Sequence, residues 1–334
     1  RLNLYYFINR RNYTKNRDNP EISNKFRSYL AGLFEGDGTI WVPNSEQKGT
    51  PTMNMVFKKE DKYLAEFLCY TLNMGYMQEK SSNNYCTWYI KKMEDVYVFT
   101  KLMNGYTRTP KIEGMARGMN WINNYTTLDN FPVKGLNLFN TNRKNAMLNN
   151  ISKLAIKPID DSLLSSNAWL TGFTDADGNF AISLDLNQTK RKPRVKLSYN
   201  LEIRQNYHKT QNFPDYPVSY SCIMTKMASF FNSSLNSRKR TLKLTNKEKD
   251  YYSFMMAVTS INNTITVQDY FSNNPTLSSK KLNFDDWSKT LNLMKANNNS
   301  STNVNCVKLG MEIRKNYNST RTIYNWDHTK NLEY

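Results

Sequence analysis

Cysteine and histidine are scarce in this sequence. The four cysteines, Cys69, Cys86, Cys222 and Cys306, are too few and too scattered over 334 residues for a disulfide scaffold. With only His208 and His328 beside them, no Cys/His group has the spacing of a structural zinc site. No run approaches the roughly 18 consecutive apolar residues of a membrane helix, which excludes a helical transmembrane protein. At 39% hydrophobic and 13% aromatic, the chain has the material for a core, which excludes global disorder. It opens on Arg1 rather than Met, as expected of a processed or truncated form.

Acids are the minority charge: 28 Asp+Glu stand against 46 Lys+Arg, a net charge of +18. Such a surplus points to a polyanionic partner, most often nucleic acid. Asparagine makes up 46 residues, and adenine- and thymine-rich codons favour Asn, Lys, Tyr and Ile alike. Part of the lysine surplus therefore has a genomic explanation. The arginines clustered in Arg191-Lys192-Pro193-Arg194 and Arg238-Lys239-Arg240 do not.

The chain repeats itself. Tyr29-Leu-Ala-Gly-Leu-Phe-Glu-Gly-Asp-Gly-Thr-Ile40 recurs 140 positions later as Trp169-Leu-Thr-Gly-Phe-Thr-Asp-Ala-Asp-Gly-Asn-Phe180. Leu30, Gly32, Asp37 and Gly38 match Leu170, Gly172, Asp177 and Gly178, and Glu35 matches Asp175. In the first copy, strands are predicted over Thr39–Val42, Thr52–Phe57 and Tyr85–Ile90, and helices over Glu60–Met74, Glu94–Met103 and Lys111–Ile122. In the second, strands are predicted over Phe180–Leu184, Val195–Gln205 and Arg240–Leu244, and helices over Ser219–Phe231, Tyr251–Ile261 and Leu282–Met294. Tandem duplication gives an α+β protein with a basic extension (1–24), a first repeat (25–125), a polar linker (126–164), a second repeat (165–296) and a C-terminal extension (297–334). Within that extension, Cys306–Ile313 is expected to form a strand or helix that docks on the body.

Read as a helix, each repeated segment places small residues four apart: Gly32 and Gly36, Gly172 and Ala176. Each Gly costs about 1 kcal/mol of helix propensity relative to Ala, a cost tolerated where another helix must approach closely. Leu30, Leu33 and Phe34 cover the neighbouring stripe and are expected in the core. Gly38 and Gly178 stand where a left-handed C-cap is expected. Asp37 and Asp177 then fall at helix C-termini, where the dipole favours cations. If the two helices pack through their small residues, both carboxylates converge and repel. A divalent cation relieves this, and hard oxygen ligands suit Mg2+. For one Asp-x-Asp-Gly alone, a helix end and a turn are explanation enough; two copies on identical helices are not so explained.

The paired segments resemble the duplicated motifs of the LAGLIDADG homing endonucleases and intron maturases, in their single-chain, two-repeat form. The resemblance runs from about Tyr29 to about Met294. It implies two αββαββα halves related by a pseudo-two-fold axis, with the motif helices at the interface and two curved sheets forming a saddle on the DNA major groove. It implies that Asp37 and Asp177 bind metal, Mg2+ or Mn2+, with the carbonyls of Gly36 and Ala176. It also implies a lysine opening the final helix of each half near the scissile phosphates. Arg108-Thr-Pro-Lys111 and Ser278-Ser-Lys-Lys281 fit that context, giving Lys111 and Lys280. Gln205, at the end of a strand, matches a polar residue of the solvent network, and Lys58 is its nearest, poorer counterpart. Leu-Phe-Glu-Gly in place of the usual Leu-Ile-Asp-Ala leaves the metal-binding acid of the first copy intact.

DNA contacts are expected from strand faces and turns: Trp41, Lys58, Lys80, Tyr85, Lys91, Arg191, Arg194, Lys196, Arg204, Arg238 and Arg240. Alternation puts Lys196, Ser198, Asn200, Glu202 and Arg204 on one face of their strand, a set suited to base edges or simply to solvent. The activity implied is intron-encoded, metal-dependent cleavage of double-stranded DNA. The alternative is a maturase that assists its group I intron RNA, and a bifunctional protein is a third reading. The resemblance also implies a mitochondrial setting and a working monomer.

Overall fold

The computed structural model describes residues 22–44, 46–47, 49–79, 82, 84–127, 151–187, 192–207, 217–244 and 247–329. The N-terminal extension as far as residue 21, linker residues 128–150, Lys80 and Arg191 lie outside them.

The first half runs α1 (Asn24–Asp37), β1 (Gly38–Trp41), β2 (Thr52–Lys58), α2 (Lys62–Thr71), β3 (Tyr76–Glu79), β4 (Tyr85–Ile90), α3 (Met93–Met103) and α4 (Ile112–Thr127). The second runs α5 (Trp169–Asp177), β5 (Gly178–Asp185), β6 (Arg194–Arg204), α6 (Ser221–Phe230), β7 (Leu235–Leu244), β8 (Lys247–Val258), α7 (Ile261–Asn273) and α8 (Lys280–Ala296). Each half holds one antiparallel sheet of the same topology, β1-β2-β4-β3 and β5-β6-β8-β7. The duplication read in the sequence is therefore a duplication of fold.

The halves meet through α1 and α5. A Cβ placed on Gly32 would sit 1.9 Å from the Trp169 carbonyl oxygen, and one on Gly172 would sit 1.9 Å from that of Tyr29. Only glycine lets the two backbones touch in this way. Gly36 faces Ala176 further along, so the helices run in the same direction and end together. The remaining motif side chains turn into the two cores. Leu30, Leu33 and Phe34 are buried, with Phe34 edge-on to Phe99; Leu170 and Phe173 are their buried counterparts. Ser23 caps α1 by accepting from the Phe26 N–H at 3.2 Å.

Three expectations change. Gly38 and Gly178 are extended, with φ of −80° and −78°, not left-handed. They are glycine because a Cβ would strike the Phe34 ring at 2.2 Å or the Thr174 methyl at 2.5 Å. Tyr251–Ile261 is not a helix; its residues to Val258 belong to strand β8, and the helix follows as α7. β8 sits between β6 and β7, and its aromatic side chains Tyr251, Tyr252 and Phe254 suit a pleated surface, so pairing on both edges outweighs the local pattern. β3 is the third change: a four-residue edge strand, too short to announce itself by alternation.

The C-terminal extension docks as expected, its 304–313 segment as helix α9 (Val304–Ile313). Gly310 lies against Leu184 and Val195 on the core face of the second sheet. Linker residues 154–160 dock on the first half, with the Asn104 amide donating to the Ala155 carbonyl at 2.9 Å and the Asp160 N–H to that of Thr107 at 2.8 Å.

Gly172→Ala is expected to destabilise the protein by about 3 kcal/mol, the upper end of the usual overpacking cost, because its new methyl meets backbone. Gly310→Ala, whose Cβ would meet side-chain methyls at 3.1 Å, is expected to cost far less. Denaturant midpoints of the two variants check the difference.

Candidate active site and nucleic-acid face

Because α1 and α5 end together, their last residues, Asp37 and Asp177, share one place. A Cβ on Gly36 would lie 3.4 Å from the Asp177 Oδ2 atom. Burial raises Asp37 to about 6, Asp177 adds to the rise, and Lys280, Lys111 and Lys58 oppose it. Burial also raises Asp177, against the pull of Lys280, Lys111 and Arg204.

Helix ends leave carbonyls without intrahelical partners, and here two lysines take them. The Lys111 ammonium donates to the Gly36 carbonyl at 2.6 Å and to that of Gly38 at 2.7 Å. Lys280 donates to Ala176 at 2.7 Å and Thr174 at 2.9 Å. Burial pushes Lys111 down to about 8, with Asp177, Glu35 and Asp37 pulling the other way. Lys280 is likewise lowered by burial and held up by Asp175, Asp37 and Asp177. Each lysine thus feels both terminal acids, and the four groups form one electrostatic cluster.

Two carboxylates and the adjacent main-chain oxygens make a hard donor set that fits a divalent cation. Among the described residues, no group of three or more His, Cys, Asp or Glu could hold a metal ion. The Gly36 and Ala176 carbonyls already accept from lysine, and each oxygen keeps a second lone pair.

The other acid of each motif has a separate task that the sequence reading missed. Glu35 accepts from the Arg108 and Thr109 N–H groups at 2.8 and 2.7 Å, from the Thr109 hydroxyl at 2.6 Å and from the Trp169 indole at 2.6 Å. Asp175 accepts from the Leu277 N–H at 2.7 Å, the Ser278 hydroxyl at 2.5 Å and the Tyr29 hydroxyl at 2.9 Å. Each of these buried acids holds the loop that delivers its own half's lysine. Each also takes a bond from the aromatic residue that opens the other half's motif. The signal was available as a repeated acid, two residues before the terminal one, in the segments Tyr29–Asp37 and Trp169–Asp177 whose other residues are apolar or small.

Strand register revises one equivalence. Gly38 pairs with Met55 and Gly178 with Leu201, so Lys58 and Arg204 each stand three residues past the paired position. Lys58 therefore corresponds to Arg204 and not to Gln205. Both cations act on the acids electrostatically, Lys58 on Asp37 and Arg204 on Asp177. Gln205 is turned to its own sheet, donating to the Ser237 hydroxyl at 2.6 Å.

Opposite the cores, the sheets present a polar face. Val195, Leu197, Tyr199 and Leu201 are buried, while Lys196 and Arg204 on the alternate positions of β6 are exposed and Ser198, Asn200 and Glu202 half-buried. Glu202 organises this face: Arg240 and Arg238 reach it at 2.6 and 3.4 Å, and the Ser253 hydroxyl donates to it at 2.6 Å. Arg194 pairs with Asp185 at 3.1 Å. In the first half, Trp41 and Tyr85 are exposed, and Lys91 lies 4.9 Å from the Tyr89 ring centre and 5.5 Å from that of Tyr76. Lys249 and Tyr251 also stand exposed on the second sheet; Tyr251 fell inside the expected helix, and Lys249 just before it.

The profile of the LAGLIDADG endonuclease family matches residues 30–118 and 170–291. The chain is 40% identical over 344 aligned residues to the intron-encoded DNA endonuclease aI3 of Saccharomyces cerevisiae, covering 97% of this chain and 80% of the relative. It is 23% identical to an uncharacterized cox1 intron-2 protein of Schizosaccharomyces pombe, over 90% of this chain and 76% of that one. Among solved structures, the I-SmaMI LAGLIDADG homing endonuclease bound to cleaved DNA superposes with a TM-score of 0.59 at 16% identity, covering 91% of this chain and 99% of that one. That likeness is one of fold.

The buried acids make stability depend on pH. Burial raises Glu35 from 4.5 to about 7, so between those values the folded protein binds more protons than the unfolded chain. Its contribution is complete at low pH and is lost as the pH rises through 7, an effect of about 3 kcal/mol. In metal-free protein, Glu35→Gln is expected to flatten the fall in unfolding free energy between pH 4.5 and 7. Denaturant titrations across that range check it.

Proposed function

The chain belongs to the LAGLIDADG endonuclease family, and from that premise we propose that it is an intron-encoded, site-specific endonuclease that hydrolyses both strands of a DNA duplex. The observation that carries this reading is the convergence of Asp37 and Asp177 on one spot between two half-buried lysines. A protein that only bound RNA as a maturase would gain nothing from two repelling, half-buried carboxylates at that spot.

In this reading Asp37 and Asp177, with the free lone pairs of the Gly36 and Ala176 carbonyls, hold Mg2+ or Mn2+. When bound, the metal supplies positive charge for activating water and for stabilising oxygens at the phosphate. Lys111 and Lys280 keep the acids compensated in the resting protein and lend positive charge beside the scissile phosphates. Lys58 and Arg204, at equivalent strand ends, extend that positive field toward the duplex.

The polar faces of the two sheets receive the DNA. Solvent-accessible ion pairs such as the exposed Arg240 with Glu202 and the half-buried Arg194–Asp185 are worth little in water, so their arginines exchange readily onto phosphate or guanine. Glu202 holds Arg238 and Arg240 extended over the face until they do. Trp41, Lys58, Tyr85, Lys91, Arg194, Lys196, Arg204, Arg238 and Arg240 are the contacts we assign among the described residues. Both halves are present in one chain, which supports a working monomer. The intron-derived names of its relatives support a mitochondrial setting.

Purified protein incubated with a duplex spanning the ligated exon junction is expected to cut it at one site, only with Mg2+ or Mn2+ added. Asp37→Asn and Asp177→Asn are each expected to abolish cleavage. They should leave DNA affinity unchanged or higher, because one repelling charge is gone. Lys111→Met is expected to slow cleavage about 10²–10³-fold with little change in Kd. Tight binding to the intron RNA without any cutting would overturn the reading.

A further inference from the structure

The two lysine-bearing loops are built alike but secured differently. In the first half, Arg108 beside the Glu35 contacts donates to the Ser162 carbonyl at 2.7 Å and pairs with Asp160 at 2.7 Å, almost wholly shielded from water. The loop carrying Lys111 is therefore tied down by an ion pair with residues of the linker.

Among the described residues, no linker ion pair of this kind secures the second loop. Its Ser279 N–H instead donates across the interface to Asp61 of the first half at 2.7 Å. Its Leu277 carbonyl, whose own N–H serves Asp175, lies 3.1 Å from His328 Nε2. That histidine belongs to the far end of the C-terminal extension. The extension is anchored first on the second half, where the Tyr317 hydroxyl donates to the Phe180 carbonyl at 2.7 Å and Arg321 pairs with Asp286 at 2.5 Å. It then crosses to the first half. Trp326 stacks on Tyr63 with ring centres 5.1 Å apart and planes within 25°, and His328 stacks on Trp326 at 5.6 Å. Asp61 and Tyr63 are neighbours at the start of α2. One corner of the first half thus receives both the loop and the tail.

We infer that the C-terminal segment at Trp326 and His328 is a strap that positions Lys280, so that one of the two cleavages depends on it and the other does not. Its kinetic consequence rests on the endonuclease reading; its structural consequence does not. Trp326 and His328 act through the Leu277–Lys280 loop as positioning residues and touch no reacting atom.

The test uses the full chain with Trp326→Ala, Trp326→Phe and, from the opposite side of the stack, Tyr63→Leu. Amide hydrogen exchange at Leu277, Ser278 and Ser279 is expected to quicken at least about tenfold in the Trp326→Ala and Tyr63→Leu variants. Arg108 and Thr109 should not change, and Trp326→Phe should keep protection. On the exon-junction duplex, strand-resolved cleavage should show a nicked product accumulating in Trp326→Ala, with Kd unchanged and double-strand cutting restored in Trp326→Phe. Equal quickening at both loops, no quickening at Leu277–Ser279, or parallel slowing of both strands would overturn the strap. If the unaltered protein cuts no duplex, the endonuclease reading fails and the exchange comparison still decides the strap.

Discussion

Backbone touches backbone at Gly32 and Gly172, and the rest of the molecule is arranged around that contact. It sets the separation of two helices, makes them end side by side, and so sets the distance between two carboxylates. No side chain could substitute, because the space a Cβ needs is already filled by the Trp169 and Tyr29 carbonyls. The sheets lie on either side of this axis and inherit their mutual placement from it.

Division of labour within each motif follows from depth. The terminal acids, Asp37 and Asp177, stand at the helix ends among Lys111, Lys280, Lys58 and Arg204, and their repulsion is balanced by that positive ring. The inner acids, Glu35 and Asp175, are fully enclosed and spend their oxygens on loop amides, hydroxyls and one aromatic donor each. Burial acts on all four, yet only the outer pair is left with capacity for a cation. The inner pair places the lysines that make the outer pair tolerable, so the two tasks are coupled through the Arg108–Lys111 and Leu277–Lys280 loops.

Much of this was legible because the motif is written twice. The four-residue spacing of Gly32/Gly36 and Gly172/Ala176 foretold the close helix pair, and the position of Asp37 and Asp177 foretold their meeting. What escaped needed three dimensions. Alternation cannot reveal a four-residue edge strand such as β3, and β8 looks helical until β6 and β7 pair on its edges. Residue spacing set Gln205 beside Lys58, whereas sheet register sets Arg204 there. The left-handed caps at Gly38 and Gly178 failed because a glycine can answer to a crowded neighbour, here the Phe34 ring or Thr174, as well as to a dihedral angle. The link from Trp326 to Tyr63 joins residues 263 positions apart and has no sequence signature at all.

The donors that cross the interface are unlike: an indole from Trp169 meets the longer acid Glu35, and a phenol from Tyr29 meets the shorter acid Asp175. Each half therefore fits the other and not a copy of itself. A homodimer of the first half would set Tyr29 against Glu35, and one of the second would set Trp169 against Asp175, mismatching reach in both. A chimera that replaces one half is expected to need Tyr29 kept with Asp175 and Trp169 kept with Glu35 as pairs across the interface.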